Sequence, residues 1–274
     1  MAVTFICDNG SVRPHATLQL RRLAQQLSQK TGIDIHPVSF QHANRIAAEA
    51  LNGEPAQLFR DFMSQQLMEG QREFILLPLF FGYSKALTSF VPDEVALLQE
   101  KFGAFSLKIA NVIYPLPDGE QVLTTIIYEH CLNTAKKQNL PLKNLVLVDH
   151  GSPNPLVTDS RKHLAKTVQE KLPSNVPLEQ AVMERREGSK YDFNGELLKD
   201  WLTNKAKNGE TSAIVVLMFF LPGRHAGVGG DIVDICDEVM SRHPEFQIAI
   251  SPLITEHDGF VDILEKRLAS CVQE

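Results

Sequence analysis

The chain has little cysteine, no long apolar run and no excess of basic charge, and each shortage argues against a class of protein. Four cysteines occur in 274 residues, with no Cys-x-x-Cys pair, so we expect no disulfide framework and a reducing cytoplasm. The apolar runs are much shorter than the ~20 residues of a membrane span. The N-terminus has no charged region before an apolar stretch, so we expect no signal peptide and no membrane partner. The net charge of −6 argues against a nucleic-acid partner.

The chain also lacks the common local motifs of catalysis. It has no Walker loop, which argues against ATP-driven chemistry, and no His-Glu-x-x-His helix, which argues against that type of zinc site. Ser152 lies in His-Gly-Ser-Pro and not in the Gly-x-Ser-x-Gly turn of a serine nucleophile. These three local motifs therefore do not supply the chemistry of this chain.

What the chain does contain is an internal duplication. Short segments of the first half recur in the second half at offsets near 140 residues, in the same order. The recurring pairs are residues 3–11 and 145–152, the apolar runs 74–81 and 213–220, and the Asp-Gly pairs 118–119 and 258–259. A stable offset of this kind indicates two copies of one unit. We therefore predict two domains, residues 1–140 and residues 141–274, each long enough to bury its own core.

Each copy alternates short apolar runs with amphipathic stretches, which is typical of βα units around a parallel sheet. The predicted strands are 3–8, 33–40, 73–81 and 106–114 in the first copy, and 145–149, 177–183, 213–221 and 246–252 in the second. The predicted helices are 15–30, 54–69, 92–102 and 120–138, then 158–172, 194–208, 231–242 and 259–271. The fold class is thus α/β, with two similar domains whose parallel sheets face a central cleft. Open α/β sheets bind ligands at the carboxyl ends of their strands.

Two histidines follow strands of the second copy. His150 comes directly after the first strand, and its counterpart in the first copy is Asn9, so the Gly-Ser turn by itself does not require an imidazole. His225 follows the third strand, and its counterpart is Leu87. Because loops after the first and third strands open on the same edge of a parallel sheet, we expect the two rings to converge. The alternative for each is an exposed loop histidine with a structural hydrogen bond.

A carboxylate also distinguishes the two copies. Glu184 follows the second strand of the second copy and aligns with His42 at an offset of 142, and Glu187 is the alternative acidic partner. The structural alternative is a charged loop in which these carboxylates pair with arginine. Two imidazoles and a carboxylate suit divalent Co, Fe, Ni and Zn, and imidazole also accepts protons near neutral pH. A metal that binds and leaves again fits these residues better than a permanent one.

Basic side chains are frequent in the same predicted loops. They are Arg185, Arg186, Lys190 and Arg224, with Arg161 early in the helix after His150. Such a group can receive carboxylates or phosphates of an anionic ligand. The alternative, which is the usual case for any one of these residues alone, is a solvated surface charge. We assign substrate binding to Ser152, Arg185, Gly223 and Arg224.

Taken together, these residues resemble the class II, ATP-independent tetrapyrrole chelatases, in particular the sirohydrochlorin cobaltochelatase and ferrochelatase group. Four motifs carry the resemblance: His-Gly-Ser at 150–152, Val-Met-Glu at 182–184, Met-Phe-Phe-Leu at 218–221 with His225, and Pro-Leu at 252–253. The resemblance covers residues 145–274, and residues 3–138 only as a degenerate copy without the active histidines. The connection 227–230 is longer than in the group, and many fused members have the histidines in the first copy.

The resemblance implies two Rossmann-like halves and the insertion of Co²⁺, Fe²⁺ or Ni²⁺ into a sirohydrochlorin-type tetrapyrrole, without ATP, in cobalamin or siroheme biosynthesis. It implies that His150 and His225 bind the metal and accept pyrrole protons, with Glu184 as an acidic group near the metal path. The metal is then a substrate, no cofactor is permanently bound, the other partner is the anionic tetrapyrrole, and the protein is a monomer or a homodimer.

Two other functions fit parts of the pattern. A non-catalytic carrier of a metal ion or of a metallotetrapyrrole would use the same ligands. A phosphoryl-transfer enzyme with a catalytic His-Gly would require an arginine directly before the histidine, and Asp149 occupies that position.

Overall fold

The structure, a computed structural model, describes residues 2–115 and 120–273. The Asp-Gly pair 118–119 of the repeat lies outside the described residues. The strands are β1 (Val3–Asp8), β2 (Ile35–Ser39), β3 (Glu73–Pro78), β4 (Ser106–Ile109), β5 (Leu145–Asp149), β6 (Leu178–Val182), β7 (Ser212–Leu217) and β8 (Gln247–Ile250). The α-helices are α1 (Pro14–Thr31), α2 (Phe59–Met68), α3 (Val91–Phe102), α4 (Gln121–Lys137), α5 (Pro155–Gln169), α6 (Leu198–Lys207), α7 (Asp231–Arg242) and α8 (Phe260–Gln273).

The strands form two four-stranded sheets with the orders β2-β1-β3-β4 and β6-β5-β7-β8, and every pairing is parallel. In each sheet the chain leaves a central strand for one edge and returns on the other side of that strand. A crevice therefore opens between the carboxyl ends of β1 and β3, and again between those of β5 and β7. The predicted α/β class with two similar parallel sheets is confirmed, and the cleft between them stays a prediction.

The two central strands of the second sheet are apolar because both of their faces are covered. Every residue of β5 and β7 is buried. Val146, Val148, Val215 and Leu217 belong to one apolar core, which also includes Trp201 of α6. Such strands have almost no hydrophobic alternation, which is why the run 213–220 could be recognised as a strand before its partners were known.

The main errors of the sequence prediction lie at element ends. The third strand of the second copy was predicted to reach residue 221 but ends at Leu217, because apolar composition does not separate a strand from a buried loop. Two helices were predicted to begin at 54 and 194, and they begin at Phe59 and Leu198. The residues just before them form short parallel bridges, Ser39 with Leu58 and Val182 with Leu197.

The chain forms two compact units, Met1–Gly119 with Val261–Glu274, and Glu120–Phe260. The predicted division at residue 140 follows the sequence repeat, and the compact units differ from it because they exchange the last helix of each copy. Arg267 of α8 donates hydrogen bonds to the carbonyl oxygens of Val112 and Ile113 in the first unit. In the second unit, Glu129 of α4 bonds His257.

Two further properties of the described residues bear on the sequence predictions. All four cysteines are buried free thiols, and burial raises the pKa of Cys131 and of Cys236 to about 12. No described helix is both long and apolar enough to cross a membrane.

Candidate active site

The two histidines lie together at the carboxyl ends of β5 and β7, the two neighbouring central strands of the second sheet. His150 directly follows β5, and His225 lies in the loop between β7 and α7. Their ring centroids are 4.3 Å apart, with an angle of 65° between the ring planes. Their side chains are 42% and 33% exposed, so neither ring is sealed in the core. The sheet order thus brings together two residues that are 75 positions apart.

Each histidine has its Nδ1 atom engaged by an acceptor. The Nδ1 atom of His150 lies 2.9 Å from the carbonyl oxygen of Gly151. The Nδ1 atom of His225 lies 2.7 Å from the Oδ2 atom of Asp231. A carbonyl or an ionised carboxylate only accepts, so the partner of His225 assigns the proton of its neutral ring to Nδ1. His150 has the same arrangement at Nδ1, and its contact there is shorter than the 3.2 Å contact of its Nε2 atom with Glu184. Both Nε2 atoms then keep their lone pairs, which is the tautomer that a metal requires for binding through Nε2.

Glu184 contacts the free nitrogen of His150. Its Oε1 atom lies 3.2 Å from the Nε2 atom of His150. The backbone causes this, because the pairing of β5 with β6 continues past both strands. The amide of Met183 donates to the carbonyl of Asp149 at 2.8 Å, and that of Glu184 to the carbonyl of His150 at 3.1 Å. Two facing acceptors favour a cation between them, either a proton or a metal ion. Both Glu184 and Glu187 are exposed, and Glu184 is the carboxylate in contact with His150.

The first unit shows that the sequence alignment of Glu184 with His42 was wrong by one residue. There the amide of Gln41 donates to the carbonyl of Asn9, as the amide of Glu184 does to His150. The fixed offset failed because the connection from β5 to β6 is two residues longer than that from β1 to β2. The histidine and the carboxylate of the second copy therefore both correspond to neutral amides, Asn9 and Gln41.

The turn after the first strand requires glycine in both copies. Gly151 has φ +90°, and a Cβ atom there would lie 1.9 Å from the carbonyl oxygen of Glu184. Gly10 has φ +87°, and its Cβ would lie 1.7 Å from the carbonyl oxygen of Gln41. No side chain fits so close to a backbone oxygen, and positive φ adds strain. The glycine thus determines how closely the loops of His150 and Glu184 approach.

Two of the predicted substrate-binding residues make turns of the backbone. The hydroxyl of Ser152 accepts a hydrogen bond from the amide of Asn154 at 3.0 Å, which shapes the start of α5. The amide of Gly223 donates to the carbonyl of Ala226 at 2.7 Å, and this turn carries His225. Their roles in substrate binding stay predictions.

The side chains of the predicted basic group have different partners in the structure. Arg224 is 76% exposed, with its Nε atom 3.7 Å from the Oδ2 atom of Asp231. Arg185 donates to the carbonyl of Gly195 at 2.9 Å and lies 3.4 Å from the Oδ1 atom of Asp192. Both stay predictions as substrate ligands. Separately, the guanidinium carbon of Arg186 and the ammonium of Lys190 lie 5.9 Å and 5.0 Å from the ring centroid of Tyr191.

Arg161 differs from the other members of the predicted basic group, because it is buried and not exposed to an anionic ligand. It is 2% exposed, and its Nη1 atom lies 2.6 Å from the Oδ1 atom of Asp149. Burial raises the pKa of the Asp149 carboxyl, and the neighbouring Arg161 opposes that shift.

Sequence reasoning missed Asp231, the partner of His225. It is the first residue of α7, and an acidic residue is favoured in the first turn of any helix, so nothing in the sequence marked it. Across residues 2–115 and 120–273, no group of three or more His, Cys, Asp or Glu side chains is placed to hold a metal ion. Metal binding by the pair His150 and His225 stays a prediction.

The fold is that of the chelatase-type α/β proteins. Residues 144–271, just under half of the chain, match the CbiX family. The predicted resemblance to class II tetrapyrrole chelatases is confirmed over these residues, which match the CbiX family. No curated protein matches the chain in sequence.

Solved structures with the same fold cover nearly the whole chain. A structure of SirB from Bacillus subtilis with Fe³⁺ has a TM-score of 0.69 at 14% identity, covering 98% of this chain and 94% of that one. The sirohydrochlorin chelatase SirB from Bacillus subtilis subspecies spizizenii, in complex with cobalt, has a TM-score of 0.67 at 12% identity, covering 99% and 95%. A structure of CbiX, described as the terminal enzyme of siroheme biosynthesis in denitrifying bacteria, has a TM-score of 0.58 at 14% identity, covering 98% and 99%. At such identities the likeness concerns the fold.

Proposed function

We propose that this protein inserts a divalent metal ion into a sirohydrochlorin-type tetrapyrrole without ATP. The observation that carries the proposal is the pair His150 and His225, whose rings lie 4.3 Å apart with both Nδ1 atoms engaged by acceptors. The match of residues 144–271 to the CbiX family supports it. The similar SirB structures hold Fe³⁺ or cobalt, which makes Fe²⁺ and Co²⁺ the first metals to test, with Ni²⁺ as a third.

In this reaction the metal is a substrate that has to lose water and leave the protein again. Two imidazole nitrogens replace two water ligands and hold the ion at the open edge of the sheet, with its other positions free for the macrocycle. Imidazole suits the divalent ions of Co, Fe and Ni alike. The proposed site therefore favours transfer of the ion over permanent retention.

The reaction also releases two pyrrolic protons for each metal ion inserted. The carboxylate of Glu184 is 61% exposed and lies 3.2 Å from the Nε2 atom of His150. It can accept a proton directly, or through His150 once the ion has left the Nε2 atom for the macrocycle, and its exposure gives the proton a route to water. Gln41, its counterpart in the first unit, has no such capacity, in keeping with the proposed role of residues 1–140 as a degenerate copy.

The exposed guanidinium of Arg224 is our proposed contact for a peripheral carboxylate of the macrocycle, with Arg185 as a second. Arg224 lies directly before His225 in the chain, so binding there would hold one side of the ring near the metal ligand. Binding energy gained from the ring's carboxylates can sustain the distortion that exposes the pyrrole nitrogens to the metal. The resulting metallotetrapyrrole would enter siroheme or cobalamin biosynthesis.

The test mixes the purified protein with sirohydrochlorin and Co²⁺, Fe²⁺ or Ni²⁺, and follows the absorbance change against the spontaneous rate. We expect His150→Ala and His225→Ala each to lower the rate by at least about 10². His15→Ala changes an exposed histidine of the first unit and should leave the rate unchanged. Near-full rates in both site variants would overturn the proposal.

The same assay distinguishes an enzyme from a carrier. With metal and macrocycle in large excess, an enzyme converts many molecules of macrocycle per protein molecule. A single stoichiometric conversion followed by no further change would identify a carrier, and the proposed enzyme would be abandoned.

A further inference from the structure

A buried ion pair lies directly behind His150. Arg161 of α5 places its Nη1 atom 2.6 Å from the Oδ1 atom of Asp149, the residue before His150, and the two side chains are 2% and 8% exposed. The same carboxylate oxygen accepts the amide of Gly151 at 3.1 Å. The ion pair therefore fixes the backbone on both sides of His150.

Arg161 also holds two other segments, the end of the strand before Glu184 and the segment before α6. Its Nη1 atom donates to the carbonyl of Ala181 at 3.0 Å, near the end of β6, three residues before Glu184. Its Nη2 atom donates to the carbonyl of Asn194 at 2.5 Å. One guanidinium thus joins the ends of β5 and β6 and the segment that precedes α6.

Asn194, whose carbonyl accepts the hydrogen bond from Arg161, also binds the turn after His150 through its side chain. Its side-chain oxygen accepts the amide of Ser152 at 3.0 Å, and its side-chain amide donates to the carbonyl of Ser152 at 2.9 Å. Asn194 is 1% exposed. Residues on both sides of His150 are therefore tied to one buried guanidinium.

In the described part of the first unit, Arg21 of α1 donates to the carbonyls of Leu51, Glu54 and Pro55 and not to the carboxylate that ends the first strand. The start of α1 corresponds to the start of α5 at an offset of 141 residues, so the counterpart of Arg161 is the buried Leu20. Asp8, the counterpart of Asp149, accepts a hydrogen bond from the hydroxyl of Ser39 at 2.6 Å. A cavity of about 380 Å³ lies beside Leu20 and Ser39. The same fold is thus built in the first unit without a buried arginine at this position.

A buried ion pair is weak evidence for stability, since the loss of hydration offsets the attraction. The ion pair of Arg161 occurs in the second copy, which has His150 and Glu184. It does not occur at the corresponding position of the first copy, which has the amides Asn9 and Gln41 instead. We infer that Arg161 is a positioning residue, which sets the separation of His150 and Glu184 by fixing the ends of β5 and β6. Its effect on the reaction rate rests on the proposed function, but its effect on Co²⁺ binding does not.

The test is a double-mutant cycle of Arg161→Leu, which introduces the residue found at position 20, and Glu184→Gln. If Arg161 acts by placing Glu184 against His150, Glu184 contributes little to the Co²⁺ affinity once Arg161 is replaced. Glu184→Gln then has a much smaller effect on the Kd in that background. We expect Glu184→Gln alone to raise the Co²⁺ Kd about 10-fold, and less than about 3-fold in the Arg161→Leu background. The Kd values are measured calorimetrically, without the macrocycle. Effects that multiply independently would overturn the inference.

Two controls keep the result interpretable. Arg267→Leu removes another buried arginine, which is 6% exposed in the first unit, and it should leave the effect of Glu184→Gln on the Co²⁺ Kd unchanged. If Arg161→Leu does not fold, the cycle is run in Arg161→Leu/Asp149→Asn, which removes the unpaired carboxylate and keeps an acceptor for Gly151. Failure of the chelatase assay with intact coupling in Co²⁺ binding would reject the proposed function and retain the positioning role.

Discussion

The Nδ1 atom of His225 lies 2.7 Å from the Oδ2 atom of Asp231, six residues further along the chain at the start of α7. The loop between them closes on itself, because the amide of Asp231 donates to the carbonyl of Arg224 at 3.0 Å. A carboxylate behind a histidine fixes the tautomer and makes the other nitrogen a better metal ligand. Asp231 is therefore placed to hold the tautomer of His225 that the proposed metal binding through Nε2 requires.

Asp231→Asn keeps the size of this side chain and removes its charge. We expect the Co²⁺ affinity to fall about 10- to 100-fold, as for other hydrogen-bond partners of metal-binding histidines. Isothermal titration with Co²⁺ measures it. Asp234→Asn changes an exposed acid in the same first turn of α7 and serves as the control. Equal affinities in the two variants would show that Asp231 does not act on the metal.

Gly151→Ala and Gly10→Ala form a matched pair, because the same turn occurs in both copies. Each places a Cβ atom within 2 Å of a backbone oxygen at positive φ, so each should lower the free energy of unfolding by at least roughly 1–3 kcal/mol. Only Gly151→Ala moves the loop of Glu184, so only this variant should lose activity per folded molecule. Thermal unfolding and specific activity separate the effects. Equal activity losses would contradict the assignment of the site to the second copy.

Glu184→Gln introduces the residue that the first copy has at the equivalent position. We expect kcat to fall about 10²-fold because the proton acceptor is lost, with little change in the KM for the macrocycle. Glu187→Gln, in the same loop, is the control and should retain the activity. Steady-state kinetics with sirohydrochlorin measure both constants. A large effect at Glu187 and none at Glu184 would exchange the roles of the two carboxylates.

His130 of α4 should make the protein sensitive to acid. Its pKa is lowered to about 4, mainly by burial and then by the nearby His257, while Glu129 opposes the shift. The unfolded chain, in which the pKa is near 6.5, binds a proton that the folded protein does not, so stability is lost as the pH falls from about 6.5 to about 4. The full effect is on the order of 3 kcal/mol.

His130→Leu should remove this contribution. Urea unfolding of both proteins at pH 7.5 and pH 4.5 measures it, and the variant should gain relative to the unchanged protein at the lower pH. A difference between the two proteins that does not change with pH would show that His130 is not the group responsible.

The elements could be predicted because their signals are local. Burial of β5 and β7 on both faces produces uninterrupted apolar runs. The duplication helps as well, because each element occurs once in each copy and one occurrence supports the other. The convergence of His150 and His225 also followed from the sequence, since neighbouring parallel strands end at one edge. The counterpart of Glu184 in the first copy was predicted one residue away from the true one, as His42 instead of Gln41. The reason is that loop lengths differ between the copies.

The sequence by itself determined the α/β class, the repeat and the strands that carry the two histidines, because hydrophobic periodicity and turn residues act over a few neighbouring positions. Only the tertiary structure decided that Asp231 and Glu184 contact these histidines, that Arg161 is buried behind one of them, and that the copies exchange their last helices. Those contacts depend on how chain segments far apart in sequence pack around one another. Packing of this kind leaves no periodic trace in the sequence.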